Sequence, residues 1–274
     1  MANKRTDVFD YLDWRGEFSF QQSKFNEIDA LILSIFAYLD FSCTQDLNEF
    51  PFTDAINMIC ALPDEMKYDG PNIIMHSVIE LAKKASITKR FCDMKVAEFV
   101  DITNEEREIQ FAAITFLLPD DTAFASFRGT DNTLVGWKED LNMSFIDGIP
   151  SQLEAAKYVD NLLTNTDRPI RLGGHSKGGN LAIWASAHQQ PEYKNRIIQI
   201  YSNDGPGFSE HFLNSSLYQD IRSKILSFVP ESSIVGVLME HDQYITILSK
   251  RPTILQHDPF SWIVRGSHFV YDNK

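Results

Sequence analysis

The sequence lacks the long apolar runs and leader segments of membrane and secreted proteins. Its longest apolar stretch, from Ile28 to Phe41, falls short of the roughly 18 to 20 residues that span a bilayer, and Asp29 interrupts it. The N-terminal stretch MANKRTDVFDYLDWRGEFSF has no apolar core followed by small residues, so we expect no secretory signal peptide. Internal repeats and low-complexity linkers are also missing.

Cysteine and positive charge are scarce. The three cysteines, Cys43, Cys60 and Cys92, have no metal-binding spacing and favour reduced thiols in a cytoplasmic protein. The net charge of −13 argues against nucleic acid as a partner and against adsorption to anionic membranes. We therefore expect a cytoplasmic protein with no nucleic-acid partner and no stable membrane insertion. These features leave the oligomeric state open.

Motifs for metals and common cofactors are absent as well. The sequence contains no H-E-x-x-H, no paired C-x-x-C, no Walker spacing and no G-x-G-x-x-G. It therefore predicts neither a metal ion nor a cofactor.

The apolar content of 43%, which includes 20 Phe, is enough for the core of one large domain. We expect residues 1–107 to form a helical portion packed on that core, with helices at 26–40, 53–61 and 72–85. Asn26 is a suitable N-cap for the first of them. The segment 88–107 is mixed and is expected to lead into the core.

Residues 108–274 alternate between strand and helix patterns. The predicted elements are a hairpin turning at LPDDT, a helix at 151–165 capped by Ser151, strands at 170–172, 196–202 and 224–229, and two short strands in YITILSKRPTILQHDP. This alternation favours an α/β fold with a mainly parallel central sheet flanked by helices. Reactive groups in such a sheet gather at the carboxyl ends of its strands.

One such strand end carries the segment GHSKG. It matches the G-x-S-x-G nucleophile elbow, in which a strained turn between a strand and a helix exposes a serine. The sequence around Ser176 predicts both the strand and the helix, so we interpret Ser176 as a nucleophile. The alternative is a small residue in a glycine-rich turn.

The segment AFASFRGTDNTLVGWKEDLNMSF resembles the region before the nucleophile in class 3 lipases, which are α/β-hydrolases. Phe127, Arg128, Gly129 and Thr130 match the family's F-R-G-S/T, and a tryptophan and an aspartate follow at Trp137 and Asp140. YLDWRGEFSFQQSKFNEIDALILS, NDGPGF and QHDPFSW resemble, more closely, a family of bacterial α/β-hydrolase-like proteins. That resemblance spans nearly the whole chain and implies the α/β-hydrolase fold without a substrate.

The lipase resemblance implies an oxyanion hole formed by the backbone N–H groups of Thr130 and Lys177. In the alternative, Arg128 and Thr130 only brace a turn. The resemblance also implies a histidine late in the chain. His257, in QHDPF, is the preferred base, and His268 is the competitor because a tyrosine follows it three residues later, as in many class 3 lipases.

The acid departs from the lipase pattern, because Ser233 stands where the family has an aspartate. Asp204 is the preferred acid, since it directly follows the strand after the elbow helix. Glu231 is the second choice. Asp258 adjoins His257, but neighbouring side chains in an extended loop usually diverge. Asp204 could instead be a turn residue that caps local N–H groups.

Together these residues predict a serine hydrolase that acts on a carboxylic or lipid ester through an acyl-enzyme on Ser176. A thioesterase or acyltransferase could use the same nucleophile. The rival from another class is a hydrolase fold retained as a binding or scaffold protein, and the replaced aspartate is its main support.

Overall fold

The computed structural model describes residues 6–44, 49–63, 73–130 and 148–272. Their main feature is an eight-stranded sheet in which strands neighbour one another in chain order. The strands are β1 (Phe50–Pro51), β2 (Lys95–Asn104), β3 (Ile109–Leu117), β4 (Ala123–Phe127), β5 (Ile170–His175), β6 (Ile197–Asn203), β7 (Ile225–Pro230) and β8 (Ile245–Ile247). Pairings from β1 to β4 are antiparallel, and those from β4 to β8 are parallel. A small hairpin, β9 (Val264–Arg265) and β10 (His268–Phe269), lies outside this sheet.

Helices flank both faces of the sheet. They are α1 (Val8–Arg15), α2 (Glu27–Phe36), α3 (Phe52–Ala61), α4 (Ile73–Ser86), α5 (Pro150–Asn165), α6 (Lys177–Ala187), α7 (Pro191–Lys194), α8 (Glu210–Leu213) and α9 (Ser216–Gln219). Side chains alternate along β4, so Phe124 packs into the core under α2 while Phe127 packs into the core under α5 and α6. The parallel strands, their order and the flanking helices make this an α/β-hydrolase fold, as the sequence predicts.

The sequence predicted a helical portion over residues 1–107, but these residues also contain the strands β1 and β2. β2 is a long strand that pairs with β3 across the hairpin at 105–108. The predicted boundary at residue 107 therefore falls between two paired strands, and the division into two portions stays a prediction. The helix after Asn26 is confirmed: the Asn26 side chain accepts from the N–H groups of Ile28 and Asp29. Every residue of α2 is buried, because the helix lies directly across the central strands.

A buried ion pair links α2 and the loop before it to the segment that follows α4. Arg90 and Asp29 are fully buried, and the Arg90 Nε donates to Asp29 Oδ1 at 2.6 Å. The guanidinium also donates to the carbonyls of Phe18, Ser23 and Lys24. These carbonyls satisfy the donors that the carboxylate leaves over, as a buried charge requires.

Two predicted details of the core are wrong. The helix of 151–165 begins at Pro150 with Ile149 at the N-cap, so Ser151 is its second residue and not its cap. The Gln152 side chain accepts from the N–H groups of Gly148 and Ile149, just before the helix. The predicted strand within PTILQHDP is a 3-10 helix, Thr253–His257. Prolines stand on both sides of that segment, and a proline cannot donate to a sheet ladder. Within the described residues, no helix combines the length and apolar character needed to cross a membrane.

Candidate active site

Ser176 lies in a strained turn between β5 and α6. Its φ of 58° and ψ of −135° are unusual for a residue with a side chain. The backbone N–H of Ser176 donates to the carbonyl of Asn203 at 3.0 Å, which ties the turn to the end of β6. A strained serine at the carboxyl end of a central strand is the geometry that a nucleophile elbow requires.

The glycines of GHSKG allow the helix to cross very close to the sheet. A Cβ atom on Gly174 would lie 2.3 Å from the carbonyl carbon of Gly178. A Cβ atom on Gly178 would lie 2.1 Å from the carbonyl oxygen of Phe127, at the end of β4. Both distances are far shorter than van der Waals contact, so only glycine fits at these two positions.

Asp204 and His257 form a hydrogen-bonded pair at the same edge of the sheet. Asp204 follows β6 with a φ of 55°, and its N–H donates to the carbonyl of Phe228 at 2.8 Å. Its carboxylate is fully buried, and Oδ2 lies 2.7 Å from Nδ1 of His257. Because an ionised carboxylate only accepts hydrogen bonds, the imidazole proton lies on Nδ1, and Nε2 is the basic nitrogen.

The other carboxylate oxygen of Asp204 is held by packing. A Cβ atom on Gly236 would lie 2.2 Å from Oδ1, so the 3-10 helix Val235–Val237 packs directly against the Asp204 carboxylate. Among the residues that the structure describes, Oδ1 accepts no hydrogen bond. The Nδ1–H of His257 is therefore the only described side-chain or backbone donor to this buried carboxylate.

The distinctive QHDPFSW block holds the turn that carries His257. Asp258 accepts from the N–H of Phe260 at 3.0 Å and pairs with Arg251 at 2.8 Å. Burial raises the pKa of the Asp258 carboxyl above its ordinary value, against the lowering effect of the Phe260 N–H and of Arg251. The fully buried Trp262 donates through Nε1 to the carbonyl of Gln256 at 2.8 Å. Asp258 and Trp262 thus stabilise the loop, and the acid beside the histidine ring is Asp204.

The competing residues of the sequence analysis have other contacts. The side chain of His268 is 64% exposed, and its Nδ1 lies 3.5 Å from Glu27 Oε2. Ser233 accepts from the N–H of Gly236 at 3.0 Å, so it stabilises the turn beside Asp204. Glu231 is exposed on the surface.

The two predicted oxyanion residues lie at the ends of neighbouring elements. Thr130 is half-buried and follows β4 by three residues. Lys177 is the first residue of α6, where backbone N–H groups point out of the helix and favour an anion. The Lys177 side chain is buried and donates to the carbonyl of Gln110 at 3.0 Å. Arg128 pairs with both carboxylate oxygens of Asp101, at 2.8 and 2.9 Å, so it braces the strand end.

Trp137 and Asp140, the remaining residues of the lipase-like segment, lie outside the described residues. The assignment of Ser176, His257, Asp204, Thr130 and Lys177 to catalysis stays a prediction. What the structure adds is that Ser176 and Asp204 directly follow the adjacent strands β5 and β6, and that Asp204 contacts His257, which ends the 3-10 helix Thr253–His257.

Two residues that no sequence pattern singled out, Tyr38 and His175, lie in the same cluster. The hydroxyl of Tyr38 lies 3.1 Å from Nδ1 of His175, and Nε2 of His175 lies 2.8 Å from the carbonyl oxygen of His257. The two imidazole rings are 4.6 Å apart. Burial, and secondarily the neighbouring His257, holds the pKa of His175 well below its ordinary value.

Tyr38 also contacts the loop that follows β4. A Cβ atom on Gly129 would lie 2.3 Å from the Tyr38 hydroxyl and 3.0 Å from Cβ of Ser176. His175 stands inside the elbow motif, and that position could have drawn attention to it. Tyr38 has no local signal, because it enters the site only through the packing of α2 against the sheet.

With this geometry in place, comparison with known proteins assigns the family. Residues 85–274 match the model of the Mbeg1-like family. The chain belongs to the Mbeg1-like family. The resemblance to a lipase-like hydrolase family is thereby confirmed. No curated protein matches this chain.

Solved structures similar to this Mbeg1-like chain include fungal lipases. The Rhizomucor miehei lipase propeptide complex is 17% identical, with a TM-score of 0.43, over 61% of this chain and 65% of the other. The lipase from Rhizopus microsporus var. chinensis is 15% identical, with a TM-score of 0.44, over 65% of this chain and 76% of the other. At these identities, the likeness concerns the fold and carries nothing about substrate.

Proposed function

We propose that this Mbeg1-like protein is a serine hydrolase that cleaves a carboxylic ester through an acyl-enzyme on Ser176. The observation that carries the proposal is the contact of 2.7 Å between Nδ1 of His257 and Oδ2 of Asp204, beside a strained serine at the next strand end. The replaced aspartate at Ser233 was the main support for a scaffold protein. Asp204 supplies a buried carboxylate for the histidine from another strand, so that support is lost.

The chemistry follows from the protonation state of the pair. His257 Nε2 takes the hydroxyl proton of Ser176 while Oγ bonds to the ester carbonyl carbon, and the carboxylate of Asp204 stabilises the imidazolium. The N–H groups of Thr130 and Lys177 donate to the oxyanion. The imidazolium then gives its proton to the departing alkoxide, which leaves as an alcohol. Water loses a proton to Nε2, attacks the acyl carbon, and releases the carboxylic acid as the proton returns to Ser176.

A carboxylic or lipid ester is the substrate class that the lipase-like fold favours, and this is an argument from analogy. A thioester would react through the same steps, with a thiol as the leaving group. We keep the ester as the proposal because no described feature of the site selects sulfur.

A fluorophosphonate probe tests the nucleophile directly, since it phosphonylates an activated serine with loss of fluoride. We expect labelling of the wild-type protein that disappears in Ser176→Ala and falls strongly in His257→Ala. Ser186→Ala is the matched serine control, because its hydroxyl donates to the carbonyl of Ala182 within α6. His268→Ala is the matched histidine control. Labelling that persists in Ser176→Ala, or its absence from the wild-type protein, would refute the proposal.

A further inference from the structure

We propose that Tyr38 and His175 are positioning residues that hold the backbone of His257 in place for the reaction. The inference rests on the proposed function, because it assigns a role toward the base of that reaction. It starts from two contacts in series: Tyr38 hydroxyl to His175 Nδ1 at 3.1 Å, and His175 Nε2 to the His257 carbonyl at 2.8 Å.

Only one arrangement of protons satisfies both contacts with a neutral ring. A carbonyl oxygen can only accept, so Nε2 of His175 carries the proton and donates to His257. Nδ1 of a neutral imidazole is then an acceptor, and the Tyr38 hydroxyl donates to it. The direction of both hydrogen bonds therefore follows from the single carbonyl at the end of the series.

The environment keeps this ring neutral. His175 is only 5% exposed, and the groups that face it are the rings of His257, Trp262 and Tyr38. None of these supplies a negative charge that would stabilise an imidazolium. A protonated His175 would have donors at both nitrogens and would add a positive charge beside His257 when that base is itself protonated.

The series gives His257 a second point of attachment. Asp204 holds the ring at Nδ1, whereas His175 holds the carbonyl of the same residue. Two points fix both the ring plane and the backbone from which the side chain extends, and one hydrogen bond to the ring would leave the backbone able to shift. Because a misplacement of about 1 Å can cost about 10²-fold in rate, this restraint bears on the reaction.

The origin of Tyr38 sets it apart from the other residues of the site. It follows α2, in the N-terminal portion, whereas the family model matches residues 85–274. The N-terminal portion thus supplies a side chain to the site in addition to covering the sheet. Its hydroxyl lies against Gly129, so the series begins at the loop that precedes Thr130.

Removing the Tyr38 hydroxyl alone is the sharpest test. In Tyr38→Phe, we expect the maximal rate of fluorophosphonate labelling to fall about ten- to a hundredfold, with the concentration for half-maximal rate unchanged, because alignment is lost and the pocket is not. The matched control is Tyr158→Phe. It removes a buried tyrosine hydroxyl that lies 2.7 Å from the hydroxyl of Thr115, in the core under α5 and α6 and away from the site. We expect no comparable fall in the control.

Substitution of His175 supplies the rescue test. His175→Gln keeps a donor and an acceptor in its amide and should retain more labelling than His175→Phe, which keeps neither. Equal losses in the two His175 variants, or equal effects of Tyr38→Phe and Tyr158→Phe, would overturn the positioning role.

Nitrogen-15 NMR of the imidazole of His175 separates this inference from the proposed function. We expect the Nε2–H tautomer in the wild-type protein, with an Nδ1 resonance that moves in Tyr38→Phe. An Nδ1–H tautomer would overturn the inference even if the serine is labelled. An unlabelled wild-type protein with the expected tautomer would refute the hydrolase and leave only the structural contact.

Discussion

The substitution Asp204→Asn tests the acid of the site most directly, since it preserves shape and removes charge. Asp204 is fully buried, and Nδ1–H of His257 is its only described donor, so the negative charge acts mainly on that imidazole. A hydrogen bond to a charged acceptor is stronger than a neutral one by about 1 to 1.5 kcal/mol, which corresponds to about tenfold in rate. This sets the smallest effect that the structure supports.

The amide of asparagine can also present its N–H₂ to Nδ1. The imidazole proton then moves to Nε2, and the basic nitrogen that the reaction needs is lost. In a well-studied serine protease the same exchange lowers kcat by about 10⁴-fold, which sets the upper limit. We therefore expect the rate of labelling or ester hydrolysis to fall between about 10- and 10⁴-fold, with little change in substrate affinity.

The matched control is Asp258→Asn, which changes the carboxyl next to His257 in the sequence. Asp258 bonds to Phe260 and Arg251 rather than to the imidazole, so its effect should be on the stability of the loop. Rates would be compared by stopped-time labelling, with thermal unfolding recorded for each variant. The reasoning fails if Asp204→Asn reacts at the wild-type rate, or if Asp258→Asn loses as much while remaining folded.

Two further predictions concern stability. Arg90→Met leaves the buried carboxylate of Asp29 uncompensated and should lower the free energy of unfolding by about 3 to 5 kcal/mol in urea titrations; a loss below about 1 kcal/mol would contradict the role of this pair. Folding lowers the pKa of His175, mainly through burial. At a pH below the ordinary value of 6.5, His175 is therefore protonated in the unfolded chain and still neutral in the folded protein. Stability should therefore fall as the pH drops below about 6.5, by up to about 1.4 kcal/mol per pH unit, and His175→Gln should show a shallower loss in melting temperature between pH 7.5 and 5.5. If the melting temperatures of the wild-type protein and His175→Gln fell in parallel with pH, this prediction would be contradicted.

Local signals in the sequence account for much of what was predicted correctly. Asn26 is followed by apolar residues at helical spacing, and its side chain caps the helix through contacts within three residues. GHSKG predicted the strained turn because both glycines are required by contacts between the adjoining strand and helix. The same rule placed Asp204 at this edge, because parallel strands end together and Asp204 follows the strand after the elbow helix; its role as the acid stays a prediction.

Nonlocal contacts explain what the sequence could not predict. Tyr38 reaches His175, which is far along the chain, only because α2 lies across the central strands. The segment before His257 resembles a strand in its apolar residues, yet it forms a 3-10 turn whose Gln256 side chain accepts from the N–H of Ser232. Such contacts depend on the position of a second segment, which no local pattern contains.

The buried pair of Arg90 and Asp29 bears on how this protein should be divided for expression. A fragment that starts at the first residue of the family match, Ala85, would keep Arg90 and lose Asp29 together with the three carbonyls that receive the guanidinium. The same cut would expose the face of the central strands that α2 covers and would remove Tyr38. We therefore expect a fragment limited to the family match to fold poorly, and fragments should include the N-terminal helices.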